Sequence, residues 1–132
     1  MAYFEWTETL NVHVDQFNEE HKKLIGFMNV LYDACHDGKS DAEVQVALNE
    51  FVLFALKHFE HEEAYLKSID FPEYDRHCEM HEQLKIRFNN YVQLFERTRE
   101  LPEDFFHFLE GWLLNHIALI DAQYAPTQSA KK

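Results

Sequence analysis

Between Asn18 and Ala125 the chain contains only three segments that would force a helix to stop: HDGKSD at 36–41, DFPEY at 70–74 and LPEDF at 101–105. Asp37, Gly38 and Ser40 end one run. Pro72 disfavours helix at the residue before it and suits the first turn of the next. Pro102, followed by Glu103 and Asp104 at the positive end of the dipole, opens a last run that Ala125-Pro126 terminates. With three Gly and three Pro in all, the chain lacks the turns that a many-stranded β fold needs every 8–12 residues or so. Four long helices are expected instead: from about Asn18, as N-cap, to the HDGKSD segment, from Asp41 to about Ile69, from about Glu73 to Arg99, and from Pro102 to Ala125. Short connections make successive helices antiparallel, so the expected fold is all-α, an up-down-up-down four-helix bundle. Its 132 residues suffice for one domain with a real core. Residues 1–17 are expected to form an N-terminal arm and 126–132 a loose tail.

Charge excludes one class of partner. The formal net charge is −12, and no Lys/Arg stripe is present to release counterions from a nucleic acid. Cys35 and Cys78 are too few for a disulfide framework and lack metal-motif spacing. No apolar run approaches the roughly 18 residues needed to span a bilayer, and MAYFEWTETL does not read as a leader. A monomer in the reducing cytoplasm, without membrane insertion, is expected. Nine histidines remain to be explained.

Their positions are periodic. With successive residues turning by about 100°, Val44, Leu48, Phe51, Ala55, Tyr65 and Ile69 form a stripe that contains His58 and has Glu62 near its middle. His61 and Glu63 lie to either side and read as flanking or solvated. Tyr74, His77, His81, Leu84, Phe88, Val92 and Phe95 follow a 3-4 alternation along one face, so both histidines there point inward. His21 shares its face with Phe17, Leu24, Ile25, Met28, Tyr32 and Cys35, and His116 belongs with Phe105, Leu109, Trp112, Leu113 and Ile120. His13, His36 and His107 read as surface residues. Five inward histidines and an inward glutamate cannot be buried cheaply, since each unpartnered polar group costs on the order of 2 kcal/mol or more. A metal centre resolves this by taking the imidazole lone pairs and neutralising the carboxylate.

Five imidazoles with one or two carboxylates exceed what a tetrahedral zinc site uses. They suit two first-row ions favouring six-coordination, with iron the best match to a mixed nitrogen and oxygen shell. If Glu62 and Asp121 both bridge, together with an oxo or hydroxo group, one ion takes three histidines and is filled. The other takes two and keeps one open position, a place for one small ligand. Ferritin-like oxidase sites carry more carboxylates, so this shell favours reversible dioxygen binding over oxygen activation.

One spacing resists this scheme. LLNHIALID separates His116 from Asp121 by five residues, which leaves them about 140° apart on an α-helix. A local π-type widening or a frayed last turn would ease the mismatch.

The chain resembles the hemerythrins, and most closely the stand-alone bacterial members. The resemblance rests on Trp6 in the arm, EEHKKL around His21, HFEHEE from His58, HCEMH from His77 to His81, and WLLNHIALID from Trp112 to Asp121. It implies an oxo-bridged di-iron centre that binds O2 reversibly at one iron. His77, His81 and His116 would hold the filled iron, His21 and His58 the open one, with Glu62 and Asp121 bridging. Leu24, Phe59, Trp112, Leu113 and Ile117 would line the oxygen pocket. The expected role is an oxygen carrier or store, not an enzyme, delivering O2 to an oxygen-consuming enzyme. The alternatives are a sensor domain, which would need an output module, and a di-iron enzyme or iron donor acting on peroxide or nitric oxide.

Overall fold

Ser40 shows how locally the helix boundaries are set. Its side chain accepts from the Glu43 backbone N–H at 3.2 Å, while the Glu43 carboxylate accepts from the Ser40 backbone N–H, forming a reciprocal capping box at the start of a helix. In the computed structural model, residues 4–10, 14–113 and 116 are described. They comprise a single 3-10 turn, Glu8–Leu10, and four helices: α1 Asp15–His36, α2 Asp41–Ser68, α3 Tyr74–Thr98 and α4 Glu103–Trp112. Connections of four or five residues turn each helix back along its predecessor, giving the up-down-up-down bundle. No helix among the described residues is long and apolar enough to cross a membrane.

The breakers act where expected. Gly38 takes a left-handed φ of 72°, and the Lys39 N–H returns to the Ala34 carbonyl, closing the end of α1. Arg99 ends α3 in the same left-handed region, with its N–H on Phe95 O at 2.7 Å. The start of α1 differs from expectation. The helix begins at Asp15 rather than Asn18, preceded by Val14 without a side-chain cap. The N–H of Asn18 already bonds to Val14 O at 3.0 Å, so Asn18 lies in the first turn. The arm is correspondingly shorter and is clasped to α1, where the Asn29 amide exchanges two hydrogen bonds with the Phe4 backbone at 2.8 and 2.9 Å.

The core is wider than one stripe per helix. Besides the residues placed inside from sequence, Leu31, Ala47, Leu66 and Phe106 are buried, because each helix packs against two neighbours. Phe51, Phe59, Phe88 and Trp112 meet at centroid distances of 5.6–6.3 Å, mostly edge to face. This aromatic layer underlies the polar cluster, and the Phe59 ring stacks directly on His81 at 4.2 Å.

Candidate metal centre

Six polar side chains, His21, His58, Glu62, His77, His81 and His116, are buried to 97% or more. They come from all four strands of the bundle: His21 from the start of α1, His58 and Glu62 from the end of α2, His77 and His81 from the start of α3, and His116 from beyond α4. All six were expected to point inward from the sequence, and the fold brings their side chains together in the core. They form two groups, Glu62 with His77, His81 and His116, and Glu62 with His21 and His58. Within each group the candidate ligand atoms lie within 4.8 Å of one another.

Glu62 is common to both groups. One of its oxygens accepts from His77 Nε2 at 2.6 Å and lies 3.0 Å from His81 Nε2 and 3.4 Å from His116 Nε2. The other lies 3.5 Å from His58 Nε2. Burial pushes the Glu62 carboxyl upward, but the imidazoles of His116, His58, His77 and His81 outweigh it and hold the group well below the usual carboxylate range. His58 is also driven down by burial, yet Glu20 and Glu62 on either side push it up to about 9. His116 lacks that second carboxylate, and burial pulls it down to about 4. Burial and the neighbouring His58 likewise hold His21 well below its ordinary value.

The donor set fits a metal. His21 Nε2 faces His58 Nε2 at 3.1 Å, and His81 Nε2 faces His116 Nε2 at 3.3 Å. Two inward imidazole nitrogens at that distance repel unless a proton or another cation lies between their lone pairs, and a gap of 3.1–3.3 Å is too short to hold a water between them. Five imidazole nitrogens around one carboxylate are a shell for a first-row divalent ion rather than for calcium or magnesium.

Three features escaped the sequence reading. Glu20 accepts from His58 Nδ1 at 2.7 Å and from His61 Nδ1 at 2.8 Å. Glu63 accepts from His81 Nδ1 at 2.8 Å. Read as flanking or solvated, His61 and Glu63 are hydrogen-bonded into the rim of the cluster, although His61 is half exposed. His36, expected as an ordinary surface residue, stacks on Tyr32 and bonds to Glu103 at 2.6 Å, tying α1 to α4. The first two had a signal available, since metal-ligating histidines usually donate their other N–H to a carboxylate.

Of the expected oxygen-pocket residues, Leu24, Phe59 and Leu113 are fully buried and Trp112 nearly so. A groove of about 460 Å³ between α3 and α4 reaches Trp112 and His116 from the surface, with Arg87 and Phe108 on its rim. Ile117 and the expected bridging residue Asp121 lie outside the described residues. Leu113 and His116 fall in π-type winding, although Leu113 itself keeps α-region dihedrals (φ −61°, ψ −44°) and its N–H still reaches the Leu109 and Glu110 carbonyls.

Comparison with known proteins agrees with this architecture. The family model described as "Hemerythrin HHE cation binding domain" matches residues 12–127. A bacteriohemerythrin of Pseudomonas paraeruginosa is 29% identical over 124 residues, covering 94% of this chain and 80% of that one. The bacteriohemerythrin of Methylococcus capsulatus is 26% identical and covers 98% and 100%. A hemerythrin-like protein of Naegleria gruberi is 30% identical and covers 92% and 90%. A wild-type hemerythrin crystal structure superposes with a TM-score of 0.87 at 24% identity, over 95% of this chain and 97% of that one.

Proposed function

The chain belongs to the hemerythrin family, and on that premise we propose that it binds dioxygen reversibly at a non-haem di-iron centre, as an oxygen carrier or store in the cytoplasm rather than as an enzyme. The observation that carries the reading is the division of five buried imidazoles into a group of three and a group of two around one shared carboxylate. Equal groups would fill two ions alike, whereas unequal groups leave one ion with room for a small molecule.

In this reading His77, His81 and His116 would hold one iron and His21 and His58 the other, with Glu62 and Asp121 as the carboxylates shared between them. Bound there, a ferrous pair would supply reversible two-electron chemistry toward O2. The protein's own residues do the rest. Glu62 would offset the charge of the ions in the buried interior. Leu24, Phe59, Trp112 and Leu113 would form an apolar wall that admits O2 and limits the access of bulk water and its protons, with Ile117 the further candidate for it. The low number of carboxylates limits how far charge can build up at the iron, which favours release over further oxygen chemistry.

The test is an anaerobic titration of the ferrous protein with O2, followed by absorption and then by degassing. Recovery of the ferrous spectrum over repeated cycles is expected. Progressive oxidation in a single cycle, or purified protein carrying zinc or one iron per chain, would overturn the proposal.

A further inference from the structure

Two carboxylates outside the proposed ligand set sit behind the centre. Glu20 in α1 accepts from Nδ1 of His58 on one oxygen, and from His61 and Gln16 on the other at 2.8 and 3.1 Å. Glu63 in α2 accepts from Nδ1 of His81 at 2.8 Å. The opposite nitrogens of both rings face Glu62, at 3.5 Å for His58 and 3.0 Å for His81. Each ring is therefore held at both ends. Neither carboxylate behaves as a solvated surface group, with side chains only 12% and 23% exposed.

The arrangement repeats along the bundle. Glu20 adjoins His21 in sequence and reaches across to His58 on the next helix. Glu63 adjoins Glu62 and reaches across to His81 on the helix after that. A residue beside a ligand is rotated by about 100° from it, which takes its side chain off the core face and behind the neighbouring helix's histidine. An imidazole ligates through a nitrogen without hydrogen, so a carboxylate fixed on Nδ1–H selects the tautomer whose Nε2 lone pair points inward.

We propose that Glu20 and Glu63 are positioning residues that set metal affinity separately in the two halves of the centre: Glu20 through His58 in the half built with His21, and Glu63 through His81 in the half built with His77 and His116. The proposal rests on the two-ion reading of the site and not on what the ions bind.

The test titrates the metal-free full chain with Co2+ in competition with a chelator, using the visible absorption of bound cobalt to follow coordination. Wild type takes up two ions. Glu20→Ala and Glu63→Ala each weaken one ion by about 10–100-fold and leave the other unchanged, and the double variant weakens both. Glu20→Gln and Glu63→Gln keep an acceptor for Nδ1–H and recover part of the loss. Glu20→Asp, which retracts the carboxylate from His58, carries the same comparison if the alanine variant does not fold. Singles that weaken both ions alike mark a merely structural role and overturn the proposal. So do singles that bind both ions as wild type does, a double variant that keeps one ion tight, or a wild type that takes up fewer than two. Failure of reversible oxygenation with these affinities intact would count against the oxygen reading alone.

Discussion

Replacing Glu62 with Gln preserves size and removes charge, which separates the electrostatic role of this residue from its packing. Its carboxylate meets four imidazoles, at 2.6 Å (His77), 3.0 Å (His81), 3.4 Å (His116) and 3.5 Å (His58). Taking one member from a buried charged network costs about 3–5 kcal/mol, because the remaining groups are left without compensation. His58 retains Glu20 at 2.7 Å, so the lower end, about 3 kcal/mol, is expected. That is a large share of the roughly 5–15 kcal/mol that stabilises a domain. With a slope of about 2 kcal/mol per M in urea, the unfolding midpoint of the metal-free protein should fall by about 1.5 M. The measurement is a urea titration followed by far-UV circular dichroism, beside iron content after anaerobic loading, which should drop to one ion or none per chain. A midpoint unchanged within about 0.3 M at equal slope, with both irons retained, would refute Glu62 as the group that neutralises and joins the two halves.

Three further outcomes follow from the same contacts. Removing metal with a chelator should lower the thermal midpoint, since saturation at about a thousandfold over the dissociation constant adds about 4 kcal/mol; an unchanged calorimetric midpoint would mean that the folded centre holds no ion. Ser40→Ala breaks the capping box and should cost about 1 kcal/mol by urea unfolding, while Glu43 keeps its place in the first turn. His36 is pushed above the ordinary histidine range by its bond to the Tyr32 carbonyl, aided by Glu103. Its stabilising effect is therefore complete below the unfolded-state value and disappears as pH rises through the folded-state one. Unfolding curves of wild type and His36→Gln should differ by at most about 1 kcal/mol in mild acid, because both partners are open to solvent, and should converge in alkali. A gap that widens with pH would contradict the assignment.

What the sequence made legible was whatever a single helix decides alone. Gly38, Pro72 and Pro102 stop helices whatever lies beside them, and the phase of His58, Glu62, His77 and His81 within their own apolar stripes is enough to turn them inward. Whatever depends on two helices together was not legible. Glu20 and Glu63 stand about 100° off their ligand neighbours, a position that reads as solvated until the adjacent helix is in place. His36 and Glu103 are 67 residues apart, and nothing in either local segment pairs them. Phe106 falls outside a single stripe and is buried because each helix has two neighbours. At the start of α1 the cap propensity of Asn18 gave way to tertiary packing: Phe17 is buried, and the helix extends back past it to Asp15.

The π-type conformation at Leu113 and His116 bears on the spacing that an α-helix leaves unexplained. An i→i+5 turn accommodates one more residue than an α-turn, so across it residues five apart come to share a face as residues four apart otherwise do. Helix α4 runs to Trp112 and the Leu113 N–H still bonds to the Leu109 carbonyl, so the wider winding sets in only at the end of the helix, in the stretch that delivers His116 to Glu62 at 3.4 Å. Wider winding gives poorer backbone geometry and is seen mostly at functional sites, where other contacts offset its cost. Here those contacts are on hand: Trp112 and Leu113 are buried in the aromatic layer and His116 is buried in the cluster. The local geometry of α4 is thus subordinate to the imidazole it presents. Asp121 lies outside the described residues, and the π-type winding is described at His116, the first of the two residues five apart.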